Sequence, residues 1–559
     1  MKNVIRDLLK RENAVVRVLW FIIIIYPFLF LWQGLNFSDE GNSLTNYRLI
    51  FSNPESIKDT FGTWGASVIG GLWLLFFGKF GLVGVRFAGA LVSILTIIIA
   101  YFILKEYIEK KILLLGILIS FLFSYHFLTT IILGYNNLSI LFFVAAIFFL
   151  VRGLNNNSIA SIFTAGFILS FNIFVRLPNV LGLLFIFVIS FNAYIKGIRV
   201  REHLKQYFVF IIGIFINFAV VYLAMKFLDH GYYYVESIKY LIGATQINHG
   251  PYTSQGLVFL TLKGYFSMFG NAALMLSLII FSIFACLKLD RVSRFIKWFL
   301  LPPFLYVLLI KYNLIGIPIG GRMASLLTGI SYAILAMSVF SREEDKNLRT
   351  IAFLMLTLFV IIPLGSGAGH VNALYLIPIA FPIAINYIHG IRRNDEALGT
   401  IKRFVLVAFI LYALTNAFAF SYDDSYNRFL LDTKVNSPHL KGIFTTKEKA
   451  NPLNELLLEM PKYVQRGDTI LVAWIAPIIY YLTETKPYFP HPWTEIYSRD
   501  QVKNFLEDNQ KDRALPVVVR YNYANKHEYD DILYEFFKRN SYEKKWSNRV
   551  YEIYAINVY

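Results

Sequence analysis

The stretch AVVRVLWFIIIIYPFLFLWQGLNFSDEG, residues Ala14–Gly41, holds the two features from which the rest of the chain can be interpreted. Its first part, Ala14–Gly34, is almost entirely apolar and reaches the roughly 20 residues that a helix needs to cross a bilayer. A basic segment precedes it, and the run is too long for a signal-peptide h-region and lacks a small-residue cleavage site. We therefore predict an uncleaved membrane anchor with a cytoplasmic N-terminus.

The composition of all 559 residues agrees with a membrane protein. Hydrophobic residues make up 57% and charged residues only 16%, whereas a soluble domain has about 25% charged residues. The apolar content excludes a disordered chain. Cys286 is the single cysteine, which excludes an internal disulfide framework and a cysteine-based zinc site.

Twelve more apolar stretches follow, so we predict an α-helical polytopic membrane protein with about thirteen transmembrane helices. Several stretches are short, which leaves the count open by about one or two. The spans after the first are predicted at Val83–Leu104, Ile112–Ile131, Leu138–Val151, Ile159–Val175, Leu177–Ile195, Tyr207–Phe227, Leu262–Leu287, Trp298–Ile310, Met323–Phe340, Ile351–Leu364, Asn372–Ile388 and Phe404–Phe420.

The formal net charge of +17 could indicate a nucleic-acid partner, an anionic lipid surface or an excess of Lys and Arg in cytoplasmic loops. With the N-terminus inside, the predicted cytoplasmic side carries +13, the external loops +4 and the residues from Ser421 onward zero. This distribution follows the positive-inside rule. The charge therefore indicates orientation and gives no support to a nucleic-acid partner, and an odd number of spans places the C-terminal tail outside the cytoplasm.

Residues 422–559 are predicted to form a second unit, because helix-like and strand-like segments alternate there after a polar linker that runs to Ala450. This alternation predicts a small extracytoplasmic α/β domain of about 110 residues. Residues 1–421 then form the transmembrane domain, in which residues 35–82 are the first external loop.

An acidic pair, Asp39 and Glu40, opens this loop directly after the first span. Partial desolvation at the membrane surface would raise the pKa of a carboxylate, and a neighbouring cation would lower it. A purely structural interpretation makes Ser38 or Asp39 the N-cap of an interfacial helix, Glu40–Phe51. A second amphipathic segment, Thr63–Phe77, is predicted to lie in the interface.

The chain resembles the GT-C glycosyltransferases, multi-span enzymes that take a sugar from a polyprenyl-phosphate carrier. The nearest groups are the protein O-mannosyltransferases and the lipid A aminoarabinose transferases. The resemblance rests on Asp39-Glu40 after the first span, on the two juxtamembrane segments, on the predicted topology, and on the start of the second span, Gly84-Val85-Arg86-Phe87-Ala88-Gly89-Ala90-Leu91. Each motif is short, and only their joint order is specific.

The tail adds to this resemblance, and one position departs from it. Thr445–Lys449, Gly467-Asp468 and Tyr480–Thr483 are similar to tails of bacterial members. Many members carry an Asp after the third span, whereas this chain has Tyr135-Asn136-Asn137. A carboxylate role at that position, including that of a metal ligand, is therefore in doubt.

The resemblance implies an inverting displacement at the anomeric carbon of the donor sugar, on the extracytoplasmic face of a bacterial-type cytoplasmic (inner) membrane. Asp39 would accept the proton of the acceptor hydroxyl, and Glu40 would orient the acceptor or tune Asp39. No cofactor is required, and a divalent cation stays an open alternative. The implied partners are a polyprenyl-phosphate sugar donor, the membrane, and a glycan, lipid or protein acceptor.

The departing lipid phosphate gains negative charge, so fixed cations beside it would stabilise the transition state. The candidate cations are the basic residues near the external ends of spans, namely Arg86, Arg322, Lys263 and Arg176. Arg322 is favoured because the preceding Gly320-Gly321 lets backbone approach a phosphate. The alternative is that each side chain snorkels to the lipid headgroups.

Two external segments could contact the sugar. The long loop His230–Gly264 has His249 and Tyr252 at its centre, and the glycine-rich turn at 365–372 ends with His370 and Asn372. A solvent loop with interfacial tyrosines and a tight turn between spans are the structural alternatives.

Two other functions stay open at this point. A membrane transporter or flippase would show repeats and ionisable residues deep in its spans, but no repeat is visible and most charges lie at span ends. A polysaccharide polymerase or ligase would need arginines in a large external loop. The loop His230–Gly264 contains no arginine, and its lysines are Lys239 and Lys263.

Overall fold

The computed structural model describes residues 14–125, 131–246, 254–288, 319–342, 344–364, 369–390, 427–512, 514–522 and 529–556, with a few residues between 410 and 424. The predicted span Trp298–Ile310 and most of the predicted span Phe404–Phe420 lie outside these residues.

The described chain is mostly helical. Six helical segments within it are long and apolar enough to cross a membrane, and three shorter apolar helices accompany them, as expected for a multi-pass membrane protein. The predicted number of thirteen spans is not confirmed by the residues that the structure describes. The helices of this membrane part are α1 (Ala14–Ile25), α2 (Asp39–Leu49), α3 (Trp64–Phe77), α4 (Gly81–Leu104), α5 (Lys110–Ser124), α6 (Tyr135–Asn156), α7 (Ile159–Val175), α8 (Ile186–Lys196), α9 (Val200–Phe227), α10 (Gly231–Gln246), α11 (Ser254–Lys288), α12 (Ile319–Phe340), α13 (Lys346–Leu364) and α14 (Ile377–Gly390).

Prolines divide two of the predicted spans. The first predicted span is interrupted after α1, where Pro27 lies in a short 3-10 turn, Tyr26–Phe28. In the sixth, Pro178 opens a 3-10 helix, Leu177–Phe185, which precedes α8. Proline has a fixed φ and no N–H group, so it suits the first turn of a helix and not its interior.

Glycines let the membrane helices α7 and α9 approach each other closely. A Cβ atom on Gly166 of α7 would lie 2.2 Å from the carbonyl oxygen of Phe210 in α9. Reciprocally, a Cβ atom on Gly213 of α9 would lie 2.3 Å from the carbonyl oxygen of Phe163 in α7. Small residues at such contacts allow membrane helices to pack backbone against backbone.

The C-terminal domain, residues 427–556, contains a small β-hairpin and a five-stranded mixed sheet. Within the sheet the strand order is β4-β3-β5-β7-β6, with β3 parallel to β4 and β5, and β7 antiparallel to β5 and β6. Helices α17 and α18 cover one face, and α15 and α16 cover the other. The elements are β1 (Thr433–Lys434), β2 (Phe444–Thr445), α15 (Lys447–Glu459), β3 (Thr469–Ala473), α16 (Ile478–Leu482), β4 (Lys486–Pro487), α17 (Arg499–Asp512), β5 (Val517–Tyr521), α18 (Asp530–Arg539), β6 (Tyr542–Ser547) and β7 (Tyr551–Ile556).

One hydrophobic cluster joins this domain to the membrane part. It includes Leu35 and Leu44 from the first loop (residues 35–82), Val85 of α4, and Val472 and Ile553 of the sheet. All five side chains are fully buried. The domain therefore shares part of its core with the chain that leads into α2 and α4.

The segment predicted as a linker is attached to the end of the first predicted span. The backbone N–H of Phe444 donates to the carbonyl oxygen of Trp32, and the N–H of Gly34 donates to the carbonyl oxygen of Phe444, each at 2.8 Å. A strand-like pairing thus fixes the chain just before α2 to the start of the C-terminal domain.

Candidate active site

The acidic pair lies in the first turn of α2, and the side chain of Asn36 binds the backbone at the start of this turn. The side-chain oxygen of Asn36 accepts hydrogen bonds from the backbone N–H groups of Ser38 and Asp39, both at 2.9 Å. Ser38 itself makes no side-chain cap hydrogen bond. Ser38 therefore occupies the N-cap position, one of the two predicted, but its side chain does not cap the helix, which begins at Asp39, one residue before the predicted Glu40.

Glu40 forms a buried ion pair with Arg86 of α4. Its Oε1 lies 2.8 Å from Nε of Arg86, and its Oε2 lies 2.8 Å from Nη2. Both side chains are 1% exposed, and Oε2 also accepts the backbone N–H of Asn36 at 3.1 Å. Two parallel N–H···O bonds of this kind make a strong and geometrically specific pair.

The other N–H groups of Arg86 bind the end of the first predicted span. Nη1 donates to the carbonyl oxygens of Leu31 at 2.9 Å and Gln33 at 3.0 Å, and Nη2 donates to that of Gly34 at 2.8 Å. With the two bonds to Glu40, this makes as many hydrogen bonds as a guanidinium has N–H groups. The expectation that Arg86 binds a lipid phosphate is corrected, because its donors are already used inside the protein.

Asp39 is in a different environment from Glu40. Its side chain is partly exposed, and its carboxylate makes no hydrogen bond or ion pair with any residue that the structure describes. Burial raises the pKa of Asp39 above its ordinary value, and the adjacent charge of Glu40 raises it further. A partly exposed carboxylate with a raised pKa is well suited to accept a proton.

The enclosure of Glu40 changes its expected role. Because its side chain is buried and paired, Glu40 is in no position to orient an acceptor, and that part of the prediction is corrected. The alternative, that Glu40 tunes its neighbour, stays a prediction, for which the charge of Glu40 acts in the required direction by raising the pKa of Asp39.

One side of α2 is attached to the C-terminal domain. Gly41 packs against α16, where a Cβ atom on Gly41 would lie 2.2 Å from the backbone nitrogen of Ile478. The hydroxyl of Thr45 donates to the carbonyl oxygen of Pro477 at 3.1 Å. The N–H of Ile478 donates to the carbonyl oxygen of Phe37 at 3.2 Å, so the start of α16 is held at the start of α2.

Arg48 makes the equivalent attachment at the other end of α16. Its Nη2 donates to the carbonyl oxygen of Tyr480 at 3.3 Å and to that of Thr485. A cation beside the last carbonyl groups of a helix satisfies them and interacts favourably with the helix dipole. Burial lowers the pKa of Arg48 to about 10, so the guanidinium stays charged at neutral pH.

Another side of α2 contacts the membrane part. The hydroxyl of Tyr47 donates to the carbonyl oxygen of Leu133, and the Tyr47 ring packs against Gly70 of α3. Leu44 is fully buried in the shared hydrophobic cluster. Together with the Glu40–Arg86 pair, these contacts position α2 on α3 and α4.

Helix α10, at the start of the long predicted loop, packs on the first loop. The hydroxyl of Ser237 accepts the N–H of Gly62 at 2.9 Å and donates to the carbonyl oxygen of Asp59 at 3.2 Å. The carboxylate of Asp59 accepts the hydroxyl of Tyr497, in the C-terminal domain, at 2.8 Å. The first loop, α10 and the C-terminal domain therefore meet around Asp59.

The other predicted site residues are separate from the Asp39–Glu40–Arg86 cluster or are not described. Arg176 lies directly after α7, partly buried, with its guanidinium 5.5 Å from the ring centre of Tyr135. Lys263 is exposed within α11, as expected for a snorkelling side chain. Asn372 is buried, with 6% of its surface exposed.

Four of the predicted residues have no described side chain. Arg322 belongs to α12 and His370 to the 3-10 helix Gly369–Leu376, but both side chains lie outside the described part of the structure. His249 and Tyr252 lie outside the described residues altogether.

Two basic residues that contact the chain just before α2 were not predicted from the sequence. Arg428 is 4% exposed, donates from Nη1 to the side-chain oxygen of Gln33 at 3.1 Å, and lies 4.0 Å from the ring centre of Phe30. Lys449 donates to the carbonyl oxygen of Leu35 at 3.1 Å. Both belong to the tail, and no spacing pattern in the sequence connects them with the first span.

Within the described residues, no group of three or more His, Cys, Asp or Glu side chains is placed to hold a metal ion. Asn137 lies near the position where many GT-C glycosyltransferases carry an Asp. In this chain its side chain binds the backbone at the start of α6. Its Oδ1 accepts the N–H of Gly134 at 2.9 Å, and its Nδ2 donates to the carbonyl oxygen of Ile132 at 2.7 Å. Its amide therefore has a structural use.

No protein-family model and no curated protein sequence matches the chain. Among solved structures, the chain is similar to ArnT from Cupriavidus metallidurans bound to undecaprenyl phosphate, with 10% identity over 97% of this chain and 96% of that chain and a TM-score of 0.48. The apo state of the same protein gives a TM-score of 0.49 at the same identity and coverage.

The chain is also similar to the archaeal oligosaccharyltransferase AglB from Archaeoglobus fulgidus in complex with an inhibitory peptide and a dolichol-phosphate. The identity is 12% over 91% of this chain and 69% of that chain, with a TM-score of 0.44. ArnT and AglB are both GT-C glycosyltransferases, the group that the sequence resembles. Because these identities and TM-scores are low, no residue role is transferred from these structures to this chain.

Proposed function

We propose that this protein is a glycosyltransferase that moves a sugar from a polyprenyl-phosphate carrier to a hydroxyl group of a glycan, lipid or protein acceptor. The observation that carries the proposal is the contrast within one acidic pair. Glu40 is enclosed by Arg86, whereas the adjacent Asp39 is partly exposed and has no partner among the described residues. One carboxylate maintains the geometry, and the other is available for chemistry.

In the proposed reaction, Asp39 accepts the proton of the acceptor hydroxyl. At the same time, the oxygen of that hydroxyl attacks the anomeric carbon of the donor sugar. The bond between that carbon and the phosphate oxygen breaks as the new bond forms, and the lipid phosphate leaves with the electron pair. Attack from the side opposite the leaving group inverts the configuration at the anomeric carbon. Asp39 afterwards releases the proton to solvent.

A cation near the departing phosphate lowers the barrier of this step. Of the predicted phosphate binders with a described side chain, Arg176 fits this role best. It is partly buried against Tyr135, and Tyr135 lies close enough to Tyr47 of α2 to interact with it electrostatically. Arg322 and Lys263 remain candidates for the same role.

The donor and the acceptor are proposed by chemical class. The ArnT structure contains undecaprenyl phosphate, and one AglB structure contains a dolichol-phosphate and a peptide. For this chain we propose a polyprenyl-phosphate sugar as donor.

The proposed location is a bacterial-type inner membrane, with the N-terminus in the cytoplasm and the C-terminal domain on the far side. The support is the charge distribution, because +13 of the net +17 falls on the predicted cytoplasmic loops. In this orientation Asp39 and the C-terminal domain lie on the same side of the membrane, where lipid-linked sugars are used.

The direct test incubates the purified full-length protein with a panel of polyprenyl-phosphate sugars and measures release of the unglycosylated lipid phosphate. Asp39→Asn should lower turnover by about 10²-fold to 10⁴-fold, the usual contribution of a general base. The matched control is Glu236→Gln, which removes a partly exposed carboxylate on α10 that forms an ion pair with Lys239.

Near-normal turnover of Asp39→Asn would remove Asp39 from the mechanism. Absence of lipid-phosphate release by the wild-type protein with every donor and acceptor mixture tried would contradict the function itself.

A further inference from the structure

Helix α2 has three faces, because residues three, four and seven positions apart lie on the same side of a helix. The face toward the membrane part carries Glu40, Leu44 and Tyr47. The face toward the C-terminal domain carries Gly41, Thr45 and Arg48. The third face begins with Asp39 and continues through Asn42 and Asn46.

The amide oxygens on this third face lack hydrogen-bond partners among the described residues. The Oδ1 atoms of Asn42 and Asn46 are buried, yet neither accepts a hydrogen bond from any group in the described chain. Asn46 is only 3% exposed. Burying an amide without a partner costs free energy, so an unpartnered group in a folded protein calls for an explanation.

We propose that Asn42 and Asn46 bind the hydroxyl groups of the sugar that is held at Asp39. This inference deepens the proposed function and rests on it. With a rise of about 1.5 Å per residue, Asn42 lies about 4.5 Å and Asn46 about 10 Å beyond Asp39 along the helix axis. The three side chains therefore form a row that a sugar, with hydroxyls on consecutive carbons, can contact at several points.

The chemistry of the row fits a neutral polyhydroxyl ligand better than a phosphate. An amide oxygen accepts from a hydroxyl and an amide nitrogen donates to one, so each Asn can bind a sugar hydroxyl in either sense. A phosphate carries only acceptors and negative charge, and it would be repelled by Asp39. The one basic residue of α2, Arg48, lies on the face toward the C-terminal domain and binds backbone carbonyl groups there.

The test uses Asn46→Leu and Asn42→Leu, which replace the amide by an apolar side chain of similar size. A buried amide without a protein partner is a cost to the folded protein, so its removal should raise the apparent melting temperature in detergent. The same change should lower kcat/KM for lipid-phosphate release by about tenfold for each lost hydrogen bond to substrate. Higher stability with lower turnover is the expected combination, which a merely structural role would not produce.

Binding measurements distinguish the donor sugar from an acceptor sugar as the ligand. If the donor sugar is bound, the variants lose affinity for the polyprenyl-phosphate sugar and keep their affinity for undecaprenyl phosphate. If an acceptor sugar is bound, the affinity for the sugar-bearing lipid is unchanged and the KM for the acceptor rises. Equal loss of affinity for undecaprenyl phosphate and for the sugar-bearing lipid would overturn the inference, because the lipid phosphate and not a hydroxyl would then be the contact.

Asn217→Leu is the matched control. Asn217 of α9 is 1% exposed, and both its amide atoms lack a partner in the described chain, but it lies on a different helix. We expect its substitution to leave kcat/KM unchanged. The inference is overturned if Asn46→Leu behaves like this control, or if it lowers turnover and melting temperature together. A wild-type protein that turns over no lipid-linked sugar overturns the proposed function and this inference with it, whereas an active wild type with a fully active Asn46→Leu overturns the inference alone.

Discussion

At the residue scale, the raised pKa of Asp39 sets the pH dependence that we expect for catalysis. The base must be ionised, so the acidic limb of the kcat/KM profile reports the pKa of Asp39 in the unliganded protein. Burial and the charge of Glu40 both raise this pKa, so the limb should lie above the value of about 3.9 for an unperturbed Asp. Glu40→Gln removes one of the two causes and should move the limb to lower pH. A limb at or below the ordinary Asp value in the wild type would contradict this account.

The same pKa shift predicts how Asp39→Asn changes stability. A carboxyl group whose pKa is higher in the folded than in the unfolded protein destabilises the folded state wherever it is ionised in both. This cost is fully present above the folded-state pKa and disappears as the pH falls to the unfolded-state value. Asp39→Asn should therefore raise the apparent melting temperature at neutral pH, and the gain should vanish in acid. A gain that grows toward low pH would have the wrong sign.

Arg86 is predicted to stabilise the fold by satisfying Glu40. Arg86→Met leaves a buried carboxylate without its cation and should cost about 3 to 5 kcal/mol of unfolding free energy. Adding Glu40→Leu should recover part of this loss, measured by thermal unfolding in detergent. Recovery should be incomplete, because the carbonyl groups of Leu31, Gln33 and Gly34 also lose their donors. A double variant that is no more stable than Arg86→Met would show that the lost ion pair is not the main cause of the destabilisation.

At the element scale, the contact between α2 and α16 depends on the absence of a side chain at Gly41. Gly41→Ala places a methyl group against the backbone of Ile478, which cannot be relieved by a rotamer change. We expect α16 to separate from α2, lowering the apparent melting temperature and the turnover. Gly78→Ala is the control in the same loop, since a Cβ atom there meets nothing within 4 Å. If both variants had the same melting temperature and turnover, the close approach of α2 to α16 at Gly41 would be unimportant.

The sequence allowed prediction of the apolar helices and of the acidic pair, because hydropathy and position after a span are local properties. It did not allow prediction of how the surroundings of Glu40 and Asp39 differ. That difference depends on Arg86, which lies 46 residues beyond Glu40 in the chain, and on three carbonyl groups that precede α2. The expectation that Arg86 binds phosphate was wrong for the same reason, since a basic residue at a span end looks the same whether its partner is a lipid or a carboxylate.

At the scale of the whole molecule, the hydrophobic cluster shared between the C-terminal domain and the first loop should make them open together. Val472→Ala, in the sheet, should therefore speed up backbone hydrogen exchange in α2 as well as in the sheet. Val188→Ala removes an equally buried side chain from the separate cluster around α8 and should leave exchange in α2 unchanged. Mass spectrometry of peptides that cover α2 is the measurement, and exchange in α2 that is insensitive to Val472→Ala would mean that the two parts open independently.

The predicted alternation of helices and strands in the tail agrees with the sheet and its helices, whereas the predicted linker before Ala450 does not act as a free connection. Its polar composition is typical of a linker, and the pairing of Phe444 with Trp32 and Gly34 uses only backbone groups, which leave no trace in the side-chain pattern. For the same reason Arg428 and Lys449 could not be assigned to the surroundings of α2 from the sequence.

The pairing of Gln33 with Phe444 joins positions about 410 residues apart, so it has a consequence for biosynthesis. At roughly 5 to 20 residues per second, the ribosome makes the partner strand roughly 20 to 80 s after the segment that carries Asp39. Until then α2 can pack on α3 and α4, which are made soon after it, but it lacks its contacts with the C-terminal domain. We therefore expect a chain that ends before Phe444 to lack the contacts between α2 and the C-terminal domain and to be inactive.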